Sequence, residues 1–185
     1  MKLSDILQTV HVVASAGDLQ REITGENMDS RQVKPGNLFV AVKGTQTDGH
    51  AYIGKAIELG AVAVLQTNAL PTAAPEGVTL VQVAGTEDAI GKVATSFYGD
   101  PSRKLKLVGV TGTNGKTTIA TVLYDLFRSL GHKCGLCSTV CNFIDGRAIE
   151  ADHTTPDPMT LNLMLAEKVD AGCKNAYKEF KSHAI

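Results

Sequence analysis

Excess charge of either sign is missing from this chain: 18 lysines and arginines stand against 19 acids, for a formal net charge of -1. That leaves no electrostatic footprint for nucleic acid or an anionic membrane surface, so any phosphate the protein binds must be held locally. A long apolar run is missing too. The longest uncharged stretch, Leu59 to Pro75, is broken by Gln66, Asn68 and Pro71 and falls short of a membrane span. At the N-terminus, Asp5 and Gln8 interrupt what would have to be the apolar centre of a signal segment ending near Ala14 and Ala16. The expectation is a cytoplasmic protein whose opening residues, MKLSDILQTVHVVASAGD, form the first helix of a domain. Repeats and low-complexity tracts are absent and aromatics are few. The mixture of 43% apolar and 20% charged residues is that of an ordinary soluble globular chain, and 185 residues allow one or two compact units.

Cysteine is scarce. Three of the four, Cys134, Cys137 and Cys141, spell C-x2-C-x3-C, a spacing to be weighed as a metal or iron-sulfur site. Cys134 and Cys137 fall in a strand-like run, where residues three apart point to opposite faces and cannot converge on one ion. The cysteines therefore read as small buried hydrophobes.

What is present is an alternation of short strands and helices. NLFVAV (37–42), VAVLQT (62–67) and VTLVQV (78–83) are rich in β-branched residues and read as strands. Between the first two, Ile53, Ala56 and Ile57 recur at helical spacing and end at Gly60, a C-cap. After the third, Ala89, Ile90, Val93, Ala94 and Phe97 share one helix face, with Thr86 as N-cap and two acids in the first turn. The breaker cluster Tyr98-Gly99-Asp100-Pro101-Ser102 then marks a boundary, dividing the chain into residues 1–103 and 104–185. Beyond it LKLVGV (105–110) reads as a strand, and Ile119, Val122, Leu123, Leu126, Phe127 and Leu130 as the apolar face of a helix that starts at Lys116. Asp145-Gly146 has the composition of a two-residue hairpin turn, and Asp157-Pro158 that of a helix N-cap with proline at the first position. KNAYKEFKSHAI reads as a strand running into a loop. The fold class is α/β: a small mixed N-terminal domain, then the beginning of a parallel-sheet domain of the P-loop type.

The stretch VGVTGTNGKTTIATVL (108–123) sets a strand, a glycine loop and a helix in the order a phosphate site requires. Backbone N–H groups of Gly112, Thr113, Asn114, Gly115, Lys116, Thr117 and Thr118 would meet a phosphate at the positive end of a helix, with glycines allowing close approach. Lys116 supplies a cation and Thr117 a hydroxyl for Mg2+ on bound ATP. A strict G-x4-G-K-T pattern needs glycine at position 110; this chain has Val110, with glycines at 109, 112 and 115.

The TGTNGKTT variant closely resembles the ATP loop of the Mur ligase superfamily, which also includes folylpolyglutamate synthetase. MDSRQVKPGNLFVAVKGTQTDGHAYIGKAIELGA (28–61) is similar to the uridine-binding domain of its peptidoglycan ligases. HTTPDP (153–158) resembles their substrate segment, and the chain's end their M-E-V-S-S-H segment. The resemblance spans essentially all 185 residues. It implies that Ser30, Thr45, Gln46 and Thr47 contact the uridine diphosphate and that His153, Thr154 and Thr155 hold the muramoyl dipeptide. It further implies that Thr117, Glu179 and His183 serve the metal, with Lys116, Glu179 and His183 as the catalytic set. Where the family would have Met, Val and Ser, this chain has Lys178, Phe180 and Lys181, and the serine is one implied to contact substrate.

The activity implied is ATP-dependent amide formation in peptidoglycan precursor synthesis. The third stem residue, diaminopimelate or lysine, would be added to UDP-N-acetylmuramoyl-L-alanyl-D-glutamate, all partners being small molecules. The remainder of the central domain, with a carbamylated lysine, and the amino-acid-binding domain would lie beyond residue 185, so the chain is expected to be a fragment that does not ligate alone. A non-catalytic UDP-sugar module has no use for Lys116 and Thr117. A P-loop kinase or GTPase leaves the DSR and TQTDG segments unexplained, and no guanine-specificity N-K-x-D is found.

Overall fold

The computed structural model describes residues 1–44, 47–149 and 156–180, which fall into two compact units, Met1–Phe97 and Tyr98–Ile185. In the first unit, one turn of helix α1 (Leu3–Ile6) leads through a 3-10 turn to strand β1 (Val12–Ala16), followed by β2 (Gly25–Asn27) and β3 (Asn37–Val40). Helix α2 (Ile53–Glu58), β4 (Ala63–Gln66), β5 (Thr79–Val83) and α3 (Thr86–Phe97) complete it. The sheet order is β1-β5-β4-β3-β2, with β2 to β5 parallel and β1 antiparallel to β5. β3 and β4 are buried along their whole length, as parallel strands covered on both faces must be, which is why NLFV and AVLQ read as near-continuous apolar runs. Phe39, Val64 and Leu80 pack with Ala56 and Ala61 on the α2 side. Burying each large apolar side chain of this kind contributes roughly 1.5–3 kcal/mol.

The N-terminal helix expected from the sequence is confined to four residues. Val12 and Val13 are β-branched, and pairing with the edge of β5 (Val12↔Val83, Ala16↔Leu80) outweighs local helix preference. Strand β2 carries no apolar run and escaped the sequence pattern. Thr86 is the first helical residue of α3 instead of its cap, and its hydroxyl is buried without a hydrogen-bond partner among the described residues.

The second unit begins with a short helix α4 (Pro101–Lys104), where the sequence reads only a breaker cluster; Asp100 takes a left-handed conformation (φ 53°) and Pro101 opens the helix. Then come β6 (Lys106–Val110), α5 (Lys116–Ser129), β7 (Cys134–Cys137), β8 (Asn142–Ile144), β9 (Arg147–Ile149), α6 (Pro158–Asp170) and β10 (Asn175–Glu179). The order is β6-β10-β7-β8-β9. β10 pairs in parallel with both β6 and β7, while β8 and β9 add antiparallel strands, so this sheet is mixed and not purely parallel. The β8–β9 turn places Asp145 (φ 44°) and Gly146 (φ 92°) both at positive φ, the geometry that selects Asp-Gly. Asp157 caps α6 by accepting from the N–H groups of Met159 and Thr160.

Helices cover opposite faces of this sheet. Cys134, Leu136, Val110 and Tyr177 pack with Ala120 and Tyr124 of α5, whereas Cys137, Ala176 and Leu105 pack with Leu165 of α6. Cys134 and Cys137 therefore do sit in separate clusters, as strand alternation requires. The helix expected from Lys116 is present, but only some of its apolar positions face the sheet. α5 turns Ala120, Leu123, Tyr124 and Phe127 to the sheet, leaving Ile119, Val122, Leu126 and Leu130 about half exposed or more (52, 58, 49 and 63%). The apolar positions at helical spacing thus occupy a sector wider than the one face the sheet covers.

Candidate functional site

Strands β6, β10 and β7 end side by side, and their C-terminal ends carry the polar groups of the second unit. Val110 closes β6 and belongs to the apolar cluster under α5, which is why position 110 is no glycine. At position 109 a Cβ would lie 2.7 Å from the Phe180 ring, so that glycine answers to packing. The loop then turns at Gly112 (φ 143°) and Gly115 (φ 77°), and the latter is the N-cap of α5. The first intrahelical bond runs from Ile119 N–H to Gly115 O at 2.8 Å. The amides of Lys116, Thr117 and Thr118 precede it at the helix N-terminus, where an anion is favoured.

Lys116 folds back over its own loop, its Nζ donating to Gly112 O at 2.7 Å and to Thr113 O at 3.3 Å. Thr117 Oγ1 donates to Glu179 Oε2 at 2.5 Å. The other carboxylate oxygen, Oε1, accepts the N–H of Thr139, in the loop after β7. Glu179 is buried at the end of β10. Burial opposes its ionisation, but the bonds from Thr117 and Thr139, aided by the Lys116 charge, outweigh that and hold the carboxyl below its ordinary range. Strand β10 thus brings a buried carboxylate to the N-terminal end of α5. The Thr139 amide was invisible to sequence reasoning, since nothing in a backbone N–H marks it in a sequence. His183, and the segment with His153, Thr154 and Thr155, lie outside the described residues.

The first unit holds a cavity of about 700 Å³. Met28, Asp29, Ser30 and Arg31 line one wall, and Val42, Gly44, Thr47 and Gly49 of the loop after β3 another; Tyr52 and Lys55 complete it. Of the expected uridine contacts, Ser30 and Thr47 line this cavity, while Thr45 and Gln46 lie outside the described residues. Asp29 caps the turn at Ser30 and holds Arg31 by a two-pronged bond, Nη2 to Oδ2 at 2.8 Å and Nε to Oδ1 at 3.0 Å. The Arg31 hydrogen bond in particular keeps the Asp29 carboxyl below its usual value despite partial burial. Helical spacing marks only Ile53, Ala56 and Ile57 here, and so passes over Tyr52, which precedes α2, and Lys55 within it. Among the described residues no cluster of three metal-ligating His, Cys, Asp or Glu side chains occurs, and no helix is long and apolar enough to cross a membrane.

Comparison with known proteins gives the family and the fold. The Mur ligase family, catalytic domain, matches residues 22–98, and the Mur ligase middle domain matches residues 110–185. The UDP-N-acetylmuramoyl-L-alanyl-D-glutamate--2,6-diaminopimelate ligase of Phocaeicola vulgatus is 60% identical over the whole chain. That of Listeria monocytogenes is 37% identical over the same length. The chain spans 38% and 37% of these two relatives. A solved UDP-N-acetylmuramoyl-L-alanyl-D-glutamate--2,6-diaminopimelate ligase superposes on 99% of the chain with a TM-score of 0.77 and 25% identity, the chain covering 36% of it. MurF ligase from Thermotoga maritima, solved in complex with ADP, shares the fold at a TM-score of 0.58 and 23% identity, over 90% of this chain and 33% of that one. With a phosphate loop and buried glutamate in one unit, a cleft in the other, and family matches over both, the chain belongs to the Mur ligase family.

Proposed function

We propose that this chain serves an ATP-dependent ligase that joins 2,6-diaminopimelate to UDP-N-acetylmuramoyl-L-alanyl-D-glutamate in peptidoglycan precursor synthesis. It would contribute the nucleotide-substrate cleft and the phosphate-binding part of the ATP site. The relatives named for that reaction support the choice of diaminopimelate over lysine. The observation that carries the reading is the convergence of Thr117 and Glu179 beside Lys116 at the strand ends. A protein that only bound a UDP-sugar would need none of the three.

The donor set fits Mg2+: a hydroxyl and an ionised carboxylate are hard oxygen ligands, and this ion takes few protein groups beside phosphate and water. Thr117 and Glu179 would hold it, with His183 proposed as a further group of the metal site. When bound, the ion supplies neutralisation of the charge on the transferring phosphoryl group. In the reaction, the D-glutamate γ-carboxylate takes the terminal phosphoryl group of ATP, forming an acyl phosphate and releasing ADP. An amine of diaminopimelate attacks the acyl carbon, phosphate leaves with the bonding pair, and the amine loses a proton. Lys116 swings from the Gly112 and Thr113 carbonyls to the phosphates, and the loop amides orient them; the task is positioning and electrostatics without a protein nucleophile. Ser30 and Thr47, with Thr45 and Gln46, are proposed to contact the uridine diphosphate, and His153, Thr154 and Thr155 the dipeptide.

Calorimetric titration of the chain with UDP-N-acetylmuramoyl-L-alanyl-D-glutamate and, separately, with Mg-ATP tests this. Saturable binding of both is expected. Binding of ATP alone, or of neither, overturns it.

A further inference from the structure

The loop after β3 forms one wall of the cavity, and its closing residues are joined to β4 through one buried side chain. Gly44 N–H donates to Thr47 O at 3.0 Å and Gly49 N–H to Val42 O at 2.9 Å, so the loop folds back on itself beside the cleft. His50 follows directly, and its imidazole is 8% exposed. On one side Nδ1 lies 2.6 Å from Asp48 Oδ1, which also accepts the His50 N–H. On the other, Nε2 lies 3.0 Å from the backbone N of Thr67, just past β4, and 3.0 Å from its hydroxyl. Thr67 is tied onward, its carbonyl accepting from Gln82 Nε2 of β5 at 3.4 Å.

A backbone N–H can only donate, so Nε2 must be the acceptor; the proton then resides on Nδ1, which donates a hydrogen bond to Asp48 Oδ1. One tautomer alone satisfies both sides. We propose that His50, held as the neutral Nδ1–H tautomer between Asp48 and Thr67, is a positioning residue for the cavity: it fixes the wall formed by Val42, Gly44, Thr47 and Gly49 and so sets affinity for the nucleotide substrate without touching it. This rests on reading the cavity as the site of the UDP-linked substrate.

Three measurements test it. First, the imidazole nitrogen shifts of uniformly 15N-labelled protein should show Nδ1 protonated; an Nε2–H tautomer overturns the inference. Second, UDP-N-acetylmuramoyl-L-alanyl-D-glutamate is titrated into wild type, His50→Asn, His50→Leu and His50→Gln. Asparagine places its amide where Nδ1 stood but cannot reach Thr67, whereas glutamine places an acceptor where Nε2 stood. Losing one such bond should raise Kd by up to about tenfold for the Asn and Leu variants, and Gln should restore most of the affinity. Third, the Thr67 amide resonance should shift in His50→Asn and return towards its wild-type position in His50→Gln. Equal affinity in all four proteins overturns the role of His50 alone, and so does a Gln variant as weak as Leu. Absence of binding by wild type overturns the nucleotide reading, and this inference with it.

Discussion

Glu179 and Thr117, 62 residues apart in sequence, are joined by a 2.5 Å hydrogen bond in which the threonine hydroxyl donates to the carboxylate. The bond makes the end of β10 part of the phosphate loop. It also places a negative charge where a metal-bound nucleotide would bring positive charge.

Lys116→Ala should reduce Mg-ATP affinity at least about tenfold, as expected when a charge-assisted contact to phosphate is lost. Affinity for UDP-N-acetylmuramoyl-L-alanyl-D-glutamate should stay within experimental error. Separate titrations check this; equal loss of both ligands would refute the two-site assignment.

Glu179→Gln should destabilise the second unit by about 1–3 kcal/mol at neutral pH, the scale of hydrogen bonds to a charged group. The carboxyl is held below its ordinary value in the folded state. Its contribution is therefore fully present above the unfolded glutamate value, near 4.3, and disappears as pH falls through the lower folded value. Urea unfolding of both proteins from pH 7 to pH 3 should show the gap closing on the acid side; a constant gap would mean the charge is irrelevant.

Much of this site follows from short-range pattern. The Asp145-Gly146 turn, the Asp157 cap and the loop at Gly115 each satisfy a local backbone demand, so residue type betrays them. The bond from Thr139 N–H to Glu179, and the approach of Tyr52 and Lys55 to the cavity that Asp29 and Arg31 also line, come from chain segments brought together only by folding. Strand β1 was hidden for the same reason, because it exists through pairing with β5, and the exposed stripe on α5 because periodicity shows that positions share a face and not how much of it a sheet covers.

Gly135→Ala should cost about 1–3 kcal/mol through overpacking. A Cβ there would stand 2.4 Å from Cδ and 2.7 Å from Cε of Lys168, a side chain with no exposed surface. Combining it with Lys168→Ala should give a loss smaller than the sum of the two single losses, measured by thermal or urea unfolding. Strict additivity would show that the two do not meet.

Cysteine reactivity should divide sharply. Burial pushes the thiols of Cys134 and Cys173 above their usual range, Cys137 is also buried, and Cys141 is half-buried. A thiol reagent at neutral pH should modify Cys141 first, with the other three reacting only on unfolding. Cys141→Ser should abolish the fast phase.

The position of β10 has a consequence for the order in which the protein is made. This strand leaves the ribosome after β6, α5, β7, the hairpin and α6, yet it lies between β6 and β7 and contributes Tyr177 and Ala176 to the apolar clusters on the two faces. Until residues 175–179 arrive, β6 and β7 have no common neighbour and both clusters lack their middle, so the sheet closes late and through long-range contacts. Glu179 is carried in by that same closing strand. Until that strand is paired, the Thr117 hydroxyl and the Thr139 amide lack their shared carboxylate, so the joining of the glycine loop to Glu179 waits on the pairing of β10 with β6 and β7.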